Sequence, residues 1–219
     1  MKKNDFTPLV MWVSLLLGII LIAYIRSGRT SGLWNDYPLN FDNLFIGAYI
    51  LWMLLELRVS QRDVSTEGKR TADSVTCQLY GCGQALTFLT ALWFPSAWRV
   101  PNFAHFAGRT MFLFGAGYRA WAIHALGHFY SHRVRMVAEH RIVASGPYRF
   151  TRHPAYAGML IANAGICVYF PNWVTLCVLL LILVPAMLLR IVIEERTLFR
   201  IEGYAEFAGK RKRLLPAIW

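Results

Sequence analysis

Charge is scarce in this chain. Asp, Glu, Lys and Arg together make up 16% of its 219 residues, against roughly a quarter in a typical soluble domain. The acids are scarcer still, 12 against 23 Lys and Arg, which leaves a net charge of +11. Apolar residues fill the gap at 56%, and the mean hydropathy is +0.39. They come in blocks of helix-spanning length and do not alternate as barrel strands do, so the expected fold is all-α, an integral membrane helical bundle. In a soluble protein the basic surplus would suggest nucleic acid. Here it lies mostly between the apolar blocks, where it sets topology and meets anionic lipid heads, and no nucleic-acid partner is expected.

Cysteine is also rare. The four cysteines, Cys77, Cys82, Cys167 and Cys177, all fall in apolar spans and form no CxxC. They read as buried thiols, with no disulfide framework and no metal site. There are six histidines. His124, His128 and His132 share one helix face and could ligate a metal. Membrane hydroxylases and desaturases, however, need several histidine boxes, so no metal is expected and a metal-dependent lipid oxidase or desaturase stands only as a rival. Gly115-Ala-Gly117-Tyr-Arg-Ala120 matches a GxGxxA dinucleotide fingerprint. That motif needs a strand before a free helix N-terminus, and here it lies inside an apolar helix. Small residues that let two helices approach closely are the better reading. The chain shows no internal repeat and no low-complexity tract. Its charged start resembles a signal peptide but is followed by no cleavage site, so an uncleaved first span is expected.

The apolar blocks predict spans over 8–25, 43–57, 75–94, 104 to about 127, 157–170 and 173–193. An interfacial loop with Trp34 and Tyr37 follows the first span. The Pro171-Asn172 turn is so short that the last two spans should form a helical hairpin. Residues 194–208 are polar and helix-compatible. Six spans leave 17 of the 23 Lys and Arg on one side and three, Arg26, Arg29 and Arg99, on the other. The positive-inside rule then places both termini in the cytoplasm. The expectation is one membrane domain over 1–219, with four spans in 1–126 and a motif-bearing core in 127–219. Arg109, near a span end, can snorkel. Arg119 lies deeper, and Glu56 is a plausible partner for it.

The one long interruption is 140–156, HRIVASGPYRFTRHPAY. Gly146-Pro147 is a turn signal. Pro154 biases His153 away from helix just before the next span begins. Backbone groups around 140–143 and 153–156 are then expected to be free and to line a polar cavity. Tyr148 and Tyr156 could cover a flat ring. Arg190 and Glu194 lie one turn apart at the end of the last span, where they can pair with each other or grip a ligand that bears both charges.

Read together, residues 140–158 carry H-x-I/L-V-x-x-G-P-Y-R-x-x-R-H-P-x-Y-x-G. Arg190, Glu194 and Glu195 follow a helical hairpin, and Gly203-Tyr204 and Arg213-Leu-Leu-Pro216 come near the end. This pattern resembles the isoprenylcysteine carboxyl methyltransferase family of integral membrane methyltransferases. The segment 125–131 also resembles what precedes the motif there, so the likeness covers about 120–219. The resemblance implies S-adenosylmethionine as methyl donor, held without a Rossmann domain in a cytoplasmic-side pocket. It assigns His140, Arg141, Ile142, Val143, Tyr148, His153, Pro154, Ala155, Tyr156 and Glu194 to the cofactor, and Arg190 to the methyl acceptor as the catalytic residue. Phe207 stands where similar sequences often have Tyr. The implied acceptor is the carboxylate of a lipophilic, prenylcysteine-like molecule reached from the membrane lipids. An amine, as in phospholipid N-methylation, is the alternative, and that reaction needs a base among His140, His153 or Glu195.

Overall fold

The computed structural model describes residues 18, 19, 22, 41–65, 74–97, 102–127, 142–214 and 219. Most of the first predicted span and its aromatic loop lie outside the described residues, as do His128, His132, His140 and Arg141. The helices run α1 Phe41–Ser65, α2 Ser74–Trp93, α3 Phe103–Leu126, α4 Pro154–Tyr169, α5 Trp173–Leu198 and α6 Tyr204–Gly209, with a 3-10 turn at Gly146–Arg149 before α4. No strand occurs among the described residues, and a single isolated bridge joins Thr151 to Lys212.

The predicted spans differ from the helices chiefly at their ends. α1 continues past the apolar block to Ser65, because a polar sequence does not stop a helix that carries no proline or glycine there. α5 likewise runs on through Glu194 and Glu195 to Leu198, so the predicted polar helix at 194–208 divides into the end of α5, a turn and α6. Gly203 supplies that turn with φ of 80°, a left-handed conformation that favours glycine. Asn102 starts α3 by accepting the N–H groups of Ala104 at 3.0 Å and His105 at 3.3 Å, while the His105 ring accepts from the Asn102 N–H.

α3 and α4 form the tightest pair, and glycines make it possible. A Cβ on Gly115 would lie 2.4 Å from the Ala162 nitrogen, and one on Gly158 2.7 Å from the Arg119 nitrogen. Gly108 meets Tyr169 and Gly165 in the same way, so the helices run antiparallel with backbone against backbone. The small-residue reading of 115–120 therefore holds at Gly115. It does not extend to Gly117, whose surroundings are open. α4 and α5 also run antiparallel, the start of one meeting the end of the other. The middle of α5 also packs on α2, where Gly83 faces the Leu183 backbone.

That middle is irregular. Over Leu179–Leu183 the helix widens to i→i+5 bonding, closing with the Val184 N–H on the Leu179 carbonyl. Pro185 follows directly. A proline in a helix lacks a donor and crowds the carbonyl four residues before it, and a wider turn gives that carbonyl room.

The core is aromatic. Tyr49 stacks on Phe88, and Phe45 packs on Phe112, Tyr169 and Phe170. Large apolar side chains also face outward, among them Phe103, Phe106, Phe114, Trp121, Trp173 and Leu181. Among the described residues one helix, α5 with 26 residues, is long and apolar enough to cross a membrane, and α4 is apolar but shorter. α3 carries Arg109, Arg119 and two histidines within its length, which lowers its hydropathy. The thiols correct an expectation. Cys82 and Cys177 are exposed, and Cys77 and Cys167 are half-buried. Apolarity of sequence does not separate a core face from an outward face that is itself apolar.

Candidate functional site

The site forms where the start of α4, the end of α5 and the C-terminal tail converge. Pro154 occupies the first helical position of α4, where its missing N–H costs nothing. His153 before it takes φ −125° and ψ 58°, outside the helix as predicted, and is 4% exposed. The backbone there is not free. The Arg152 N–H donates to the Lys212 carbonyl and the His153 N–H to the Arg213 carbonyl, each at 2.9 Å. The tail has taken one of the groups expected to face a ligand, the His153 N–H. A sequence pattern reveals that a proline interrupts a helix, but not which distant segment satisfies the groups it frees.

The predicted pair of charges is present, with a third group between its members. Arg190 is 3% exposed, and its Nε donates to the Tyr156 hydroxyl at 2.9 Å. That hydroxyl donates in turn to Glu194 Oε2 at 2.9 Å. Tyr156 and Glu194 are half-buried. The three polar groups form a relay in which one phenol fixes a cation and an anion at a set separation. Tyr156 therefore joins the two charges through its hydroxyl, a contact the sequence did not disclose.

The neighbouring acid, Glu195, plays a role that sequence reasoning missed. It is 3% exposed and joins three cationic or polar partners: Arg152 Nη1 at 2.7 Å, Arg213 Nε at 2.7 Å and His153 Nε2 at 3.3 Å. Both carboxylate oxygens accept from a guanidinium, which suits Glu195 to tying the tail to α4 and not to accepting a proton from an amine. The clue available was the Glu-Glu pair itself: adjacent helical residues face different neighbours, so the two acids serve different partners.

A second buried charge pair supports the motif from behind. Arg119 on α3 meets Glu56 on α1 through two bonds, Nε to Oε1 at 2.6 Å and Nη2 to Oε2 at 2.8 Å, as the sequence suggested. Its Nη1 also donates to the Ala155 carbonyl at 3.2 Å, so the pair grips the first turn of α4.

Four more of the predicted cofactor residues, Ile142, Val143, Tyr148 and Ala155, gather in one apolar cluster. Tyr148 and Ala155 are buried in an apolar cluster with Ala122, Tyr204, Phe207 and Ala208, and half-buried Ile142 and Val143 pack against it. Phe207 has no hydroxyl to place. Arg211 covers its ring instead, 4.4 Å from the centroid. Burial pushes the Tyr204 phenol above its ordinary range, so it stays neutral. Of the three spaced histidines only His124 is described, and it is exposed near the end of α3.

Residues 108–200 match the model of the isoprenylcysteine carboxyl methyltransferase family. The chain is 31% identical over 125 residues to protein-S-isoprenylcysteine O-methyltransferase B of Arabidopsis thaliana, covering 55% of this chain and 61% of that one. It is 32% identical over 120 residues to a probable protein-S-isoprenylcysteine O-methyltransferase of Oryza sativa subsp. indica, covering 53% and 63%. The match thus spans less than two thirds of either plant protein. A protein-S-isoprenylcysteine O-methyltransferase of Saccharomyces cerevisiae is 26% identical over 223 residues, covering 95% of this chain and 90% of the yeast protein. The segment 108–200 holds both buried arginines, the Tyr156 relay and Glu195, and over it the chain is similar to the isoprenylcysteine carboxyl methyltransferase family.

Proposed function

We propose that the chain transfers a methyl group from S-adenosylmethionine to the carboxylate of a lipophilic, prenylcysteine-like acceptor. The observation that carries this reading is the Tyr156 hydroxyl held between Arg190 and Glu194. It sets a cation for one substrate beside an anion for the other. The relatives' names, which specify O-methylation of isoprenylcysteine, support the same reaction.

The residues present fit the donor. Its sulfonium supplies an electrophilic methyl group when bound. Glu194, half-buried and held by Tyr156, is suited to the donor's ammonium. The apolar wall of Ile142, Val143, Tyr148 and Ala155 suits its flat ring. His153 serves this pocket through its position against Glu195, since its own N–H is bonded to Arg213. His140 and Arg141, assigned to the cofactor by the resemblance, complete the set we infer. Arg190 is buried beside the same relay and orients the acceptor carboxylate. That carboxylate is ionised at neutral pH, so no residue has to remove a proton. Burial of the reacting groups away from water favours a step in which two opposite charges cancel.

We further infer that α1 to α5, together with the segment 8–25, make up six spans of one membrane domain over 1–219. Both termini and the site then lie at the cytoplasmic face, the donor enters from water and the acceptor from the bilayer. The test is calorimetric titration of the purified protein in mild detergent with S-adenosylhomocysteine, followed by transfer of a labelled methyl group to N-acetyl-S-farnesyl-cysteine. Binding and a base-labile methyl ester are expected. A folded protein that does not bind S-adenosylhomocysteine, or that carries stoichiometric iron, would overturn the reading.

A further inference from the structure

Tyr80 lies on α2, outside the segment that matches the family model and outside every motif in the sequence. It is 7% exposed, and its hydroxyl is buried with no hydrogen-bond partner among the described residues. Its ring stands edge to face with Tyr156, centroids 5.8 Å apart and planes at 84°. The hydroxyl is within electrostatic range of Arg190, Arg119 and Glu56. A buried hydroxyl left unpaired costs about 1–3 kcal/mol of desolvation. One found beside the relay proposed above to grip charged ligands is accounted for when the ligand completes it.

The charges around Tyr80 narrow what that ligand group is. Glu56 is engaged by Arg119 through both its oxygens, and Glu194 faces Tyr156 from the far end of the relay. The cation at the near end, bonded to the ring neighbour of Tyr80, is Arg190. A neutral O–H donor next to a guanidinium matches an anionic acceptor of hydrogen bonds and not the donor's ammonium or sulfonium. We propose that the Tyr80 hydroxyl is a second hydrogen-bond donor to the carboxylate of the methyl acceptor, acting beside Arg190. The inference rests on the methyltransfer reading above. It adds that acceptor recognition draws on α2, a helix beyond the matched segment, so relatives that share 108–200 can differ in acceptor through this position.

The experiment compares wild type with Tyr80→Phe, using N-acetyl-S-farnesyl-cysteine as acceptor and S-adenosylhomocysteine as the probe of the donor pocket. Phe keeps the edge-to-face contact and removes only the hydroxyl. The expected result is a KM for the acceptor raised about tenfold or more, as for loss of a hydrogen bond to a charged group, with S-adenosylhomocysteine affinity unchanged. Thermal stability should equal or exceed wild type, because an unpaired buried hydroxyl has been removed. An unchanged acceptor KM in a folded Tyr80→Phe would overturn the inference. Weakened S-adenosylhomocysteine binding would overturn it too, by placing the hydroxyl on the donor side. Wild type that binds S-adenosylhomocysteine but methylates no carboxylate defeats the functional reading itself, and that outcome is read before the variant is made.

Discussion

Removing one half of the Glu56–Arg119 pair should destabilise the fold and the site together. Arg119 is 2% exposed and Glu56 5%, and the two are joined by parallel bonds of 2.6 and 2.8 Å. Glu56→Gln leaves the guanidinium buried without its counter-charge. For a buried pair the loss of one partner costs about 3–5 kcal/mol, which in a chain of this size lowers the thermal midpoint by roughly 10 °C. Arg119→Met should cost a similar amount, with an added loss because the Ala155 carbonyl then loses the guanidinium contact. In the double variant neither charge of the pair remains, and most of the stability should return. Cofactor-pocket affinity should not return with it, since the Arg119 contact on the first turn of α4 is then absent. The assay is a thermal melt of the four proteins in one detergent, paired with S-adenosylhomocysteine titrations. Additive losses, with the double variant as unstable as the sum of the singles, would refute the coupling. Full recovery of affinity in the double variant would refute the role given to the Ala155 contact.

Three further outcomes follow from the geometry. Glu194→Gln should weaken S-adenosylhomocysteine binding by about 1.5–3 kcal/mol through loss of a charge-assisted contact, and calorimetry that finds no change removes Glu194 from the pocket. Tyr156→Phe should lower turnover and S-adenosylhomocysteine affinity together, because one hydroxyl serves both Arg190 and Glu194; a purely one-sided effect, measured by steady-state kinetics and titration, would contradict the relay. Glu195→Gln should loosen the tail from α4, seen as faster tryptic cleavage at Lys212 and Arg213, whereas an unchanged cleavage rate would show that the backbone bonds of Arg152 and His153 hold it alone.

The sequence disclosed elements whose cause is local. Apolar blocks marked the helices, Pro154 marked the start of α4, and the spacing of Arg190 and Glu194 marked a shared face. The Glu56–Arg119 pair was legible because few acids are available to a deep arginine. Contacts decided by distant segments were not. Nothing near His153 in sequence says that the Arg213 carbonyl takes its N–H, and nothing near Tyr80 says that its ring meets Tyr156. The widened turn in α5 was hidden for a related reason. Pro185 raises the need for an adjustment, but the chain can meet that need by kinking or by widening, and packing on α2 accompanies the second choice.

That widened turn also fixes a phase. A helix advances about 100° per residue, so a turn that spans five residues where four would do acts as one inserted residue. Everything after Leu183 is rotated by about that angle relative to everything before it. Trp173 to Val178 and Arg190 to Glu195 belong to one rod, yet their faces are set independently, one by the Thr175 contact with Thr90 on α2 and the other by the relay. The length of α5 is therefore part of the chemistry. Straightening the turn over Leu179–Leu183 without removing a residue would leave the apolar span long enough and would turn Arg190 and Glu194 away from Tyr156.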